Sequence, residues 1–119
     1  MTKTLGHALA LAALSFAFPG LRLDAHAILL SAAPTFNETV HGTTVQVRLR
    51  FNSRIDGKRS RLVLLSPGGG ERVLAADQPS PDTVRSDVSE LLPGSYTLRW
   101  QVLAEDGHIT RGELPFRTQ

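Results

Sequence analysis

Val45, Val47, Leu49 and Phe51 fall on one side of an extended chain, with Gln46, Arg48 and Arg50 on the other. This period of two restricts the segment to a half-buried β-strand, because a helix would scatter the same side chains around its circumference. Tyr96, Leu98, Trp100 and Val102 repeat the pattern against Thr97, Arg99 and Gln101, and Leu114 and Phe116 repeat it against Glu113 and Arg117. Shorter strands are predicted over 27–31, 61–66, 71–75 and 83–88. Turn-forming residues punctuate these runs at Asn52 to Lys58, Pro67-Gly68-Gly69-Gly70, Asp77 to Asp82 and Pro93-Gly94. With no sustained helical period after the first 25 residues, the pattern predicts a seven-stranded antiparallel β-sandwich. Pro115 has no N–H for a ladder, so the last strand is expected at an edge or with a bulge.

The first 25 residues read as a secretory signal peptide. Lys3 supplies a positive n-region, Ala8 to Phe18 an apolar stretch, and Pro19-Gly20 a break before a small-residue end at Ala25. The run is shorter than the ~20 apolar residues a membrane-spanning helix needs. Residues 26–119 are then one small exported domain, with stability from a single core. Two cleavage points fit the leader: Ala25-His26-Ala27 would release Ile28, and Leu23-Asp24-Ala25 would release His26.

Composition narrows the chemistry. The chain has 13 basic and 11 acidic residues, and loss of Lys3, Arg22 and Asp24 leaves a mature net charge of +1, which does not indicate a nucleic-acid partner. The absence of cysteine removes disulfides, thiolate metal sites and thiol catalysis together. Methionine occurs only as Met1.

A divalent metal site remains open to such a chain. If His26 is the first mature residue, its α-amine and imidazole can close a chelate ring on one ion, and Asp106-Gly107-His108 can add an imidazole and a carboxylate from the far end of the sequence. In an extended segment Asp106 and His108 point to one face, and Gly107 lets the backbone bend between them. A nitrogen-rich set of this kind suits copper(II), with zinc as the main competitor, and not calcium or magnesium. Each motif alone also has a structural reading, as a loose terminus or a polar turn. His41, beside Gly42, reads as a turn residue. Pro67 to Gly70 lacks the ending of a phosphate loop. Arg54, Lys58, Arg59 and Arg61 read as a solvated loop face, and Tyr96 and Trp100 as core aromatics.

The block from Tyr96 through Trp100 to Asp106-Gly107-His108, followed by Gly112 and Phe116, resembles the signature of the CopC family of periplasmic copper-binding proteins. His26 to Pro34, Val45 to Phe51 and Pro93-Gly94-Ser95-Tyr96 resemble the family's opening, its next strand and its turn into the Trp strand. The resemblance implies a seven-stranded Ig-like Greek-key β-sandwich and cleavage before His26. It implies one copper(II) per chain, held by the α-amine and ring nitrogen of His26, the imidazole of His108 and the carboxylate of Asp106. It also implies a non-enzymatic periplasmic carrier or buffer in copper homeostasis, supplying a CopD-type inner-membrane protein. The chain departs from some relatives in lacking the methionines of a copper(I) site and an acidic residue at Asn52 or Ser53. Two other classes share these features: a copper-brace oxidase resembling a minimal lytic polysaccharide monooxygenase, which would need oxygen and reductant to cleave polysaccharide, and a metal-free exported Ig-like interaction module, which would bind no copper. The mass of the exported protein is expected to correspond to His26 as first residue; a mass starting at Ile28 would remove the chelating terminus.

Overall fold

The computed structural model describes residues 27–119. The chain forms β1 (Leu29–Ala33), β2 (Thr39–Val40), β3 (Val45–Phe51), β4 (Ile55–Leu65), β5 (Glu71–Leu74), β6 (Asp77–Ser80), β7 (Thr83–Val88), β8 (Gly94–Ala104) and β9 (Ile109–Thr118). One sheet has the order β1-β3-β7-β6 and the other β2-β9-β8-β4-β5. Every connection crosses between sheets except the hairpins β4–β5, β6–β7 and β8–β9, so the architecture is a Greek-key β-sandwich.

Nine strands replace the seven expected. β2 is two residues long and pairs in parallel with Arg117 and Thr118, too short to leave an alternation in the sequence. β6 lies inside Asp77 to Asp82, read above as a turn. It is an edge strand of Asp, Gln, Pro and Ser that buries no apolar side chain, so periodicity could not reveal it. β4 likewise begins at Ile55, inside the predicted Asn52–Lys58 turn, and its register against β8 shifts between Asp56 and Arg61.

The alternating residues meet where the pattern put them. Val47, Leu49, Phe51 and Val84 from the first sheet pack against Leu62, Leu64, Leu98, Val102 and Phe116 from the second, all essentially removed from solvent. Each such side chain contributes roughly 1.5–3 kcal/mol of burial. Phe51 meets Trp100 edge-on across the sandwich, with ring centroids 5.3 Å apart, and Tyr96 stacks on Phe116 at 5.5 Å. The Tyr96 hydroxyl donates to the Leu92 carbonyl and accepts from the Leu92 N–H, both at 2.9 Å, which is the tyrosine corner of Ig-type sandwiches.

Pro115 is accommodated as its chemistry requires. Within a strand a residue's N–H and C=O point to the same side, and the Pro115 carbonyl accepts from Asn37 N at 2.8 Å on the side away from β8. The missing donor therefore faces the sheet edge upstream of β2 and costs the β8–β9 ladder nothing.

Trp100 lies opposite Gly112 in that ladder, and a Cβ at Gly112 would stand 2.2 Å from the indole ring. Gly112→Ala is expected to destabilise the fold by about 1–3 kcal/mol through overpacking, read as a lower urea midpoint with an unchanged slope.

The β6–β7 hairpin carries two carboxyls held below the usual aspartate range. Arg85 hydrogen-bonds and pairs with Asp77 at 2.7 Å, and the hydroxyls of Thr83 and Ser80, with Arg50, do the same to Asp82. Because folding depresses both values, their stabilisation is complete above the unfolded aspartate range and is lost as pH falls through the folded values. The double variant Asp77→Asn/Asp82→Asn is expected to lose less stability than wild type on acidification below about pH 4, followed by urea unfolding across pH.

Candidate metal centre

The continuous β8–β9 ladder ends in a tight turn that carries the Asp-Gly-His motif. Ala104 N donates to the His108 carbonyl at 2.7 Å and Gly107 N to the Ala104 carbonyl at 2.9 Å. Gly107 has φ +93°, a conformation that glycine adopts without a Cβ penalty. Asp106 Oδ1 accepts from His108 N at 3.1 Å, and Asp106 Oδ2 lies 2.9 Å from His108 Nδ1. The sequence placed both groups on one face with Gly107 free to bend between them, and also allowed a polar turn. A turn brings them into direct contact, and both side chains remain accessible to solvent, at 56% for His108 and 33% for Asp106.

The start of the domain reaches the same end of the sandwich through the β3–β4 connection. Asn52 clamps Ile28 twice: its side-chain oxygen accepts from Ile28 N at 2.7 Å, and its own N–H donates to the Ile28 carbonyl at 2.9 Å. Ala27 is fully buried in the core cluster. Two residues on, the Arg54 carbonyl accepts from Glu105 N at 3.2 Å, which ties the connection to the Asp-Gly-His turn. A hollow of about 460 Å³ lies here, lined by Ser53, Arg54, Ala104, Glu105 and Asp106. Ser53 Oγ is buried without a hydrogen-bond partner among the described residues. Sequence reasoning marked Asn52 as a turn residue lacking the acidic side chain of some relatives but not its clamp on Ile28, for which an amide directly after a strand was the one visible signal.

Of the three candidate ligands, the structure brings Asp106 and His108 together, while His26 lies outside the described residues. His41 precedes β3, whose seven residues run from the opposite end of the sandwich toward Asn52, and this separates it from the turn by about 20 Å.

The donors fit a nitrogen- and oxygen-ligated metal. Among the described residues no group of three or more His, Cys, Asp or Glu side chains converges, so the Asp106–His108 pair is incomplete as a cage. Asp56 does not complete it: one carboxylate oxygen accepts from the N–H groups of Lys58 and Arg59, and the other lies 3.6 Å from the Arg59 guanidinium. With no cysteine and no methionine beyond Met1, soft-ligand copper(I) chemistry has no basis here.

A small Greek-key sandwich with a carboxylate–imidazole turn at one end, next to the first strand, defines the class of protein. The CopC domain family matches residues 29–119, and the chain belongs to that family. Its members are copper-binding resistance proteins and not enzymes, which sets aside the oxidase and the metal-free module as family readings. Protein YobA of Escherichia coli K12 is 29% identical over 118 residues, spanning 96% of this chain and 94% of that protein, and its Shigella flexneri counterpart aligns equally well. The crystal structure of CopC from Methylosinus trichosporium OB3b superposes with a TM-score of 0.71 at 28% identity, over 79% of this chain and 94% of that one. PcoC, a methionine-rich copper resistance protein from Escherichia coli, shares the fold with a TM-score of 0.61 at 20% identity, over 79% and 99%.

Proposed function

We propose that residues 26–119 form an exported domain that binds one copper(II) ion and acts as a periplasmic carrier or buffer in copper resistance. The ligands are the α-amine and ring nitrogen of His26, the imidazole of His108 and a carboxylate oxygen of Asp106. The observation that carries this reading is the Asp106–His108 contact at 2.9 Å, on the end of the sandwich where Ala27 enters the core. Ala27 follows His26 directly, so a mature chain starting at His26 has its amine one residue from that end. A chain starting at Ile28 would lack the Ala27 methyl and leave a gap in the core.

The roles follow from the chemistry of each group. Before metal arrives, the Asp106 carboxylate holds the His108 ring through Nδ1, which limits the rotation lost on coordination. Coordination through Nδ1 would exchange that contact for the ion, with the ring and the carboxylate already side by side. The ring and carboxylate stand at an exposed turn, so metal can enter and leave without opening the core. That accessibility suits a carrier that hands copper on, and a CopD-type inner-membrane protein is the receiver we propose.

Competitive copper(II) titration tests the assignment. His26→Ala and His108→Ala are each expected to weaken binding by more than about 100-fold, and Asp106→Ala by roughly 10–100-fold, because copper(II) gains more from nitrogen donors than from one oxygen that water can replace. His41→Ala is expected to bind as wild type. Equal affinity for wild type and His108→Ala would overturn the site.

A further inference from the structure

Arg54, Lys58 and Arg59, read from sequence as a solvated loop face, line a cleft of about 670 Å³ between β4 and β6. We infer that this cleft docks an acidic segment of a protein partner beside the Asp106–His108 turn. The partner's purpose there, exchange of copper, rests on the function proposed above.

The cleft is a built feature of the fold. Where the β4 register shifts between Asp56 and Arg61, the backbone is held by side chains from its neighbours. Gln78 of β6 donates through Nε2 to the carbonyls of Ile55 and Pro81, at 2.8 and 3.1 Å, and accepts from Gly57 N at 3.0 Å. Ser60 Oγ donates to the Asp56 carbonyl at 2.6 Å and accepts from Leu103 N at 3.3 Å. The edge strand β6 and the first half of β4, which lies beyond its pairing with β5, are thus stitched together across the two sheets by Gln78, and the cations project from a fixed frame.

Their charge is not spent internally. Elsewhere Arg50 pairs with Asp82, Arg85 with Asp77, and Arg99 with Glu71 and Glu113. Arg54 and Lys58 have no carboxylate within 4.0 Å among the described residues. Arg59 meets Asp56 at 3.6 Å, but its side chain is 76% exposed, a weak pairing that a partner's carboxylate can replace. The opposing charges in the cleft are Asp56, whose oxygens are engaged by its own strand, and Glu105 on the turn side.

Exposed cations on long stems favour a transient protein encounter over a small anion. Small-molecule sites bury most of their ligand and hold it with preorganised polar groups, whereas charge complementarity between proteins raises the rate of encounter and sets orientation. The cleft shares Glu105 and Gly107 with the turn that carries Asp106 and His108, so a docked acidic segment lies next to the point of metal exchange.

The test is a titration of the exported, copper-free protein with a hexa-aspartate peptide, followed by amide chemical shifts in NMR. Shifts are expected in 54–59, 78–81 and 103–107, weakening as ionic strength rises from about 0.01 to 0.15 M. Arg54→Glu/Lys58→Glu is expected to lower affinity at least about tenfold, while the control Arg48→Glu/Arg117→Glu, exposed on other strands, leaves it unchanged. An equal loss in the control pair, or citrate binding at the same residues as tightly as the peptide, would overturn the proposal. Because copper is absent, failure of peptide binding leaves the copper titration standing, and a copper titration that fails leaves the docking result standing.

Discussion

The antiparallel pairing of β8 with β9, unbroken from Gly94 opposite Thr118 to Leu103 opposite Ile109, is the constraint on which the rest of the molecule depends. It sets Tyr96, Leu98, Trp100 and Val102 on one face beside Leu114 and Phe116, and these side chains are about a third of the buried cluster. It also delivers Ala104 and His108 to the closed end of a hairpin at a spacing that the ladder fixes. An Asp-Gly-His sequence on a mobile loop would hold the same atoms with a much larger loss of conformational entropy on binding a metal. Here the sheet has already restricted them, and the Asp106 carboxylate holds the imidazole in place.

The parts of the fold legible in the sequence are those where burial is one-sided. β3 and β8 were readable because one face of each is dry and the other wet. β6 was not, because a short edge strand of Asp77, Gln78, Pro79 and Ser80 is held by backbone pairing and side-chain hydrogen bonds, neither of which leaves an apolar period. The first half of β4 was hidden for a related reason: Asp56, Gly57, Lys58 and Arg59 have turn-like composition, yet Gln78 from the other sheet and Ser60 within the strand fix them in place. Pro115 was expected to mark an edge strand or a bulge; β9 is neither, lying between β8 and the short β2 with an unbroken ladder, and only its stretch at Pro115, upstream of β2, is open on one side.

At the candidate site, the Asp106–His108 pair was legible from spacing and the resemblance of its surroundings. Its exact geometry was not, since the spacing allows a bend at Gly107 but does not show that hairpin closure brings the carboxylate and ring into direct contact. That the start of the domain lies near this turn was expected from the proposed ligand set, but the part of the β3–β4 connection in joining them was not legible. It depends on Asn52 clamping Ile28 and on Arg54 accepting from Glu105, long-range contacts between residues whose individual identities are unremarkable for loops.

These arrangements separate stability from metal chemistry. In small domains whose core is too slight, a metal supplies the folding free energy, and its removal unfolds the chain. Here Leu49, Leu62, Leu64, Leu98, Val102 and Phe116 close the core without any contribution from Asp106 or His108, which sit on the surface of the hairpin. A protein built this way does not draw its fold from an ion at the turn, so on the proposed function binding and release would be set by the ligands and by what approaches them. On the docking proposed above, the basic side chains beside the turn would act on the second of these alone, favouring one kind of visitor without altering the proposed donors.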